Sequence, residues 1–105
     1  MVVVIFRARI RVLDDEYART AARMRELAFA EFGCLDFVAW TEGSDEVALS
    51  WWPDGEAVRA WKSHPEHALA QQAGRERWYE SWSVQVAEVT REYRRPGLHL
   101  PPPIP

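Results

Sequence analysis

The sequence predicts one α+β domain of the ferredoxin-like kind, β-α-β-β-α-β, with an antiparallel sheet and helices on one face. Three observations carry that expectation. Apolar residues alternate with a period of two over 2–12, a helical stripe runs from 14 to 32, and two alternating runs, a broken helical region and a last alternating run follow. At 105 residues the chain can bury one core and not two.

In the first strand Val2, Val4, Phe6, Ala8, Ile10 and Val12 share one face. The other face starts with Val3 and Ile5 and becomes a row of arginines, Arg7, Arg9 and Arg11. Leu13-Asp14-Asp15-Glu16 opens a helix: an aspartate supplies the cap oxygen and the acids suit the positive end of the helix dipole. Tyr17, Ala21, Met24, Leu27, Ala28 and Phe32 form its apolar side, and Gly33 stops it.

Strands are expected over 34–41 and 46–52, joined by the turn Glu42-Gly43-Ser44-Asp45. Both carry apolar groups on both faces: Leu35, Phe37 and Ala39 against Val38 and Trp40, then Val47, Leu49 and Trp51 against Ala48 and Trp52. A sheet with one wet face alternates cleanly. Both faces of this one are therefore expected to be covered, one by helices and the other by a second subunit, with Arg7, Arg9 and Arg11 pairing acids across it.

Asp54 caps a second helical region holding Ala57, Val58, Ala60 and Trp61. Ser63-His64-Pro65-Glu66 restarts it with capping-box spacing between Ser63 and Glu66, and a segment follows to Ala73, closed by Gly74. Residues 74–80 read as an irregular connector and 81–92 as the last strand, with Trp82, Val84 and Val86 on one face. The domain is expected to span 1–93. Residues 94–105 hold most of the chain's seven prolines and form an extended, polyproline-like tail.

Composition narrows the function. Net charge is −3, which argues against nucleic acid or an anionic membrane as the main partner. No apolar run approaches the ~20 residues of a membrane span, and no signal peptide is evident, so a cytoplasmic protein is expected. One cysteine, Cys34, leaves no intrachain disulfide and no Cys-based zinc site, and is expected to be a small buried apolar residue. Six tryptophans, each able to bury on the order of 200 Å², exceed what a small core takes up. Some are expected to line a pocket or a dimer seam.

Several segments resemble the antibiotic biosynthesis monooxygenase family: Val3-Val4-Ile5-Phe6-Arg7, Glu16-Tyr17, Phe32-Gly33-Cys34-Leu35, Ser50-Trp51-Trp52, Ala57 to His64, and Glu66-His67. The resemblance covers 2–92, and the run from 57 to 67 after a Trp-ending strand is its most specific part. It implies a dimeric α+β barrel, a homodimer pairing through its sheet faces, with a pocket between sheet and helices in each subunit. It implies oxidation of an aromatic or polyketide-like small molecule by dioxygen without metal, flavin or other cofactor, as in family members that act on polycyclic aromatics or quinols. The protein supplies a base, donors for a developing oxyanion and a dry cavity. Haem-degrading relatives form an alternative. They place an axial histidine where this chain has Gln71, and an asparagine on strand one where it has Phe6 or Arg7. A non-catalytic dimer binding a small hydrophobic ligand is a further alternative.

His67 and Gln71 share a helix face at i, i+4. The family pattern turns that position inward and makes His67 the expected catalytic base; the competing reading is a surface histidine. Tyr79 is expected to donate to an oxyanion and Arg77, with Arg75, to hold a carboxylate or enolate at the pocket mouth. The alternative for the arginines is pairing with Glu76 and Glu80. Trp52, Trp61, Trp78 and Trp82 are the expected walls, or else core filling, with Gln71 a further substrate contact. His64 is read as a helix cap. The pair His64–His67 lacks a third ligand, so no metal site is expected. Leu98, Leu100 and Ile104 of the tail are expected to dock on the partner subunit; ten extended residues reach roughly 30 Å at ~3.1 Å each.

Overall fold

A computed structural model describes residues 1–95 and residue 97; the expected tail docking through Leu98, Leu100 and Ile104 lies outside the described residues. The elements are β1 (Val2–Ile10), α1 (Asp15–Glu31), β2 (Asp36–Glu42), β3 (Asp45–Trp52), α2 (Gly55–Ser63), α3 (Pro65–Ala73), a π-helical turn (Gly74–Trp78) and β4 (Tyr79–Glu88). The sheet order is β2-β3-β1-β4, and each neighbouring pair is antiparallel. This is the ferredoxin-like α+β arrangement expected from the sequence.

Register decides which residues meet the helices. Val4 pairs with Ser50 and Val86, Phe6 with Ala48 and Val84, and Ala8 with Glu46 and Trp82. Ser50 and Ala48 in turn oppose Phe37 and Ala39 of β2. Directly opposed residues share a face, so this set faces the helices. Val3, Ile5, Val38, Trp40, Val47, Leu49 and Trp51 form the other face, which no described element covers. Trp40 there is 52% exposed.

The core gathers at one end of the helix face: Val2, Val4, Met24, Leu27, Ala28, Cys34, Trp52, Val58 and Trp61. Trp52 is fully buried and donates its indole N–H to Ser50 Oγ (2.8 Å), while Trp61 donates to Met24 O (3.2 Å). Helix α1 is capped by Asp14, whose carboxylate accepts from Tyr17 N–H (2.8 Å), and it ends before Gly33, where φ is +73°. An Arg23–Glu66 bridge (2.8 Å) ties α1 to α3, which buries no residue completely.

His64 caps α3 as expected, its Nδ1 accepting from Glu66 N–H (3.1 Å), with His64 rather than Ser63 in the cap position. α3 ends at Ala73 with Gly74 as its C-cap, also as expected, but Gly74 keeps right-handed helical geometry and carries the chain into a π-turn where an irregular connector was expected. Two strand bounds change. β1 ends at Ile10, where β4 shifts register, short of the expected 12. β4 starts at Tyr79 and ends at Glu88, displaced from the expected 81–92.

Candidate active site

Small side chains on the middle of the helix face open a cavity. Ala39 and Ala48 of the sheet meet Ala21 of α1, Ala70 of α3 and Gly74, while large groups stand around them. The cavity holds about 710 Å³, enough for a drug-sized aromatic, and its lining is mainly apolar. Its walls include Phe6, Tyr17, Phe37, Trp61, Trp78 and Trp82.

His67 reaches this cavity from α3. Its ring meets Trp61 edge-on at 4.3 Å, and Trp61 packs on Trp52 at 4.9 Å. His67 therefore stands over the Trp52 end of β3. Its Nδ1 is buried without a hydrogen-bond partner. Burial, helped by the charge of Lys62, lowers its pKa from 6.5 to about 4; the residue's own peptide group opposes this weakly, outside hydrogen-bond geometry. The ring is neutral at pH 7. A buried unpartnered nitrogen is costly; Nδ1 is turned away from the open space, while other atoms of the ring line the cavity. Gln71 lines the cavity one turn further along α3.

Glu46 lies at the other end of β3, on the same face as Trp52. Six residues separate the two, roughly 20 Å at ~3.3 Å each. It is only 7% exposed, and its Oε2 accepts the Tyr79 hydroxyl at 2.8 Å. No ion pair reaches it among the described residues. Desolvation raises its pKa, and the Tyr79 bond pulls it back; burial, and then the Glu46 carboxylate, push the Tyr79 phenol well above its usual value. Phe6 and Tyr17 flank the Tyr79 ring at 5.3 and 6.1 Å. Gly74 makes room for it: a Cβ there would lie 3.0 Å from the ring.

The structure separates the expected site residues. His67, Gln71, Tyr79, Trp61, Trp78 and Trp82 line one cavity. Trp52 does not; it is the fully buried floor beneath Trp61, because its register sends the ring under the helices. Arg77 does not line it either. Its guanidinium binds Glu16 Oε2 (2.9 Å), not Glu76 or Glu80, and packs over Trp78. Arg75 lines the cavity instead, with Arg25 and Lys62. Tyr79 spends its proton on Glu46, so it is no free donor to an oxyanion. The Trp61 and Trp78 indole N–H groups are also used, by Met24 O and by Asp14 Oδ1 (3.2 Å). Gln71, Lys62, Arg75 and the Ser50 hydroxyl remain to serve an anion. Sequence reasoning missed Glu46; its only signal was its place on the Ala48–Ser50–Trp52 face of β3.

This fold and cavity define a class. Residues 1–73 match the family model for antibiotic biosynthesis monooxygenases, and the chain belongs to that family. It is 38% identical to the uncharacterized protein YqjZ of Bacillus subtilis (strain 168) over 80 residues, which cover 75% of this chain and 70% of YqjZ. Its fold is similar to that of a mutant of SnoaB, a cofactor-independent oxygenase from Streptomyces nogalater (TM-score 0.74, 16% identity, 90% of this chain and 97% of that one). It is also similar to that of Rv0793 from Mycobacterium tuberculosis (TM-score 0.68, 22% identity, 89% and 98%).

Proposed function

We propose that this protein is a cofactor-independent monooxygenase that oxidises a polycyclic aromatic or polyketide-like molecule with dioxygen. The observation that carries the reading is His67, a neutral imidazole lining a largely apolar cavity of about 710 Å³. Neutral imidazole accepts a proton from an acidified ring methylene or phenol. A pKa of about 4 makes it a weak base alone. The substrate anion formed beside it offsets this, because an imidazolium–anion pair in a dry site is mutually stabilising.

The anion passes one electron to dioxygen, and the substrate radical and superoxide recombine as a peroxide that takes up the proton. Loss of the second C–H proton and cleavage of the O–O bond leave a carbonyl and water. A methylene thus loses two hydrogens and gains one oxygen, while water carries off the other oxygen. In this reading Gln71, one turn along α3 from His67, and Lys62 stabilise the developing oxyanion; both line the cavity. Trp61, Trp78 and Trp82 hold the aromatic rings and exclude water.

Oxygen uptake with a panel of polycyclic quinols and anthrones tests this. An active substrate should lose roughly 10²-fold or more in turnover with His67→Ala, the scale of a lost general base. His64→Ala should change it little. An active preparation that keeps its rate without His67 overturns the assignment.

The reading includes a homodimer. Val3, Ile5, Val38, Trp40, Leu49 and Trp51 make an apolar sheet face that the subunit's own helices leave open, and a second copy of that face is its simplest cover. Among the described residues no helix is long and apolar enough to cross a membrane.

A further inference from the structure

We propose that Glu46 and Tyr79 form an acceptor-only recognition end of the cavity, which selects a substrate presenting a hydroxyl there and rejects a carbonyl or carboxylate. The inference rests on the reading of this cavity as the substrate site and extends it to the substrate's chemistry and orientation. Neither residue takes part in the proton transfer assigned to His67.

The argument is one of donor counting. Tyr79 has a single hydroxyl proton, and it lies on Glu46 Oε2 at 2.8 Å. What remains for a ligand is a lone pair on the Tyr79 oxygen and the second carboxylate oxygen, both acceptors. No arginine, lysine or histidine pairs with Glu46 among the described residues. A ligand hydroxyl placed here gains a hydrogen bond to a charged acceptor; a ligand carbonyl meets two acceptors and gains none.

The opposite end has the opposite character. His67 stands over the Trp52 end of β3, and two cations line the cavity there: Lys62, whose charge acts on His67, and Arg25, packed over Phe37 beside Trp61. A developing negative charge belongs with them. The substrate is therefore a long, flat molecule with a hydroxyl at its Glu46 end and its acidic, reacting position at its His67 end. Along β3 the cavity runs from Glu46 to Ser50, four residues or roughly 13 Å at ~3.3 Å each, so a multi-ring skeleton fits this span better than a single ring.

The Gly74 turn serves the same end. A Cβ at 74 would meet the Tyr79 ring at 3.0–3.1 Å, so glycine lets the ring lie close enough for its hydroxyl to reach Glu46. That makes Gly74 a positioning residue.

The test is binding, at pH 8, by isothermal titration calorimetry. The probes are 2-naphthol and 2-acetonaphthone, which share rings and differ in carrying a donor or an acceptor. The natural chain should prefer the naphthol by roughly tenfold or more, the scale of a hydrogen bond to a charged group. Glu46→Gln should abolish or reverse that preference. With the amide oxygen on the Tyr79 proton, the NH2 faces the ligand and a donor replaces the free carboxylate oxygen; turned the other way, the Tyr79 proton is released to the ligand and a neutral oxygen replaces a charged one. Tyr79→Phe should keep the preference, because the carboxylate stays. Melting curves establish that each variant is folded. Equal binding of both probes by the natural chain, binding of neither, or an unchanged ratio in Glu46→Gln overturns the proposal. A naphthol preference without oxygen uptake on any quinol would leave this inference standing and remove the oxygenase reading. Oxygen uptake without the preference would do the reverse.

Discussion

Lowering the pH from 7 to 5 should destabilise the folded chain through His67 alone by about 2 kcal/mol. The ring titrates near 6.5 when unfolded and near 4 when folded, because burial and the neighbouring Lys62 and His64 charges disfavour the imidazolium. The folded value is depressed, so between pH 6.5 and 4 the unfolded chain binds the extra proton. Stability then rises with pH across that window and is lost as pH falls through it. With these two values the linkage costs ~0.2 kcal/mol at pH 7 and ~2 kcal/mol at pH 5. Other groups titrate in the same range; Glu46, with its raised pKa, acts with the opposite sign. His67→Gln removes only the histidine contribution, and its amide stays neutral at both pH values. Urea unfolding of both proteins at pH 7 and pH 5 isolates the effect. The natural chain should lose ~2 kcal/mol more than the variant, roughly 1–2 M in urea midpoint at a slope of ~1–2 kcal/mol/M. Parallel losses in the two proteins, or a His67 imidazole resonance (the one that disappears in His67→Gln) titrating near 6.5, would refute the burial argument and with it the neutral, unpartnered Nδ1.

Three further perturbations probe other parts of the molecule. Trp52→Ala should cost ~3–5 kcal/mol by urea unfolding, since it empties the fully buried floor beneath Trp61. Asp14→Ala should cost ~2 kcal/mol, because one carboxylate oxygen both caps α1 and accepts the Trp78 indole N–H, whereas Asp14→Asn should keep most of that stability. Trp51→Glu should yield a folded species of 12.2 kDa in sedimentation where the natural chain sediments as a dimer; a natural chain that is already monomeric at micromolar concentration sinks the sheet-to-sheet interface.

Much of the fold was legible because its signals are local. Alternation along 2–10 marked β1, and the Asp14 cap with the Met24–Leu27–Ala28 stripe marked α1. The uncovered face was legible too, because Val38, Trp40, Leu49 and Trp51 are too apolar for a wet surface. What failed depended on partners far along the chain. Arg77 was expected at the pocket mouth, but its carboxylate is Glu16, 61 residues away. Tyr79 was expected to be a free donor, but Glu46 takes its proton across 33 residues. Gly74 looked like a stop signal because glycines often end helices, and α3 does end there. Here its missing side chain is required by the Tyr79 ring and not by backbone geometry, which is ordinary right-handed helix. Trp52 was grouped with the cavity walls because the abundance of tryptophan says that some ring must line a pocket, and not which one.

Alternate residues of one strand make the cavity and the open face together. Along β3, Glu46, Ala48, Ser50 and Trp52 point to the helices, and Val47, Leu49 and Trp51 to the other side. The first set runs from an acidic residue through two small ones to the largest side chain available. That order leaves an opening with a polar end and closes it with an aromatic floor. The second set is uniformly apolar and leaves no such opening. A register slip of one residue would exchange the sets, placing Glu46 on the open apolar face and filling the cavity with Val47, Leu49 and Trp51. Register is held by the paired strands on both sides and by the Cys34 and Leu35 backbone bonds to Ala28 O and Trp51 O (3.0 and 2.7 Å). The pairing that buries the core therefore also sets the distance between Glu46 and the His67 end of the cavity, and so the length of molecule that can bridge them.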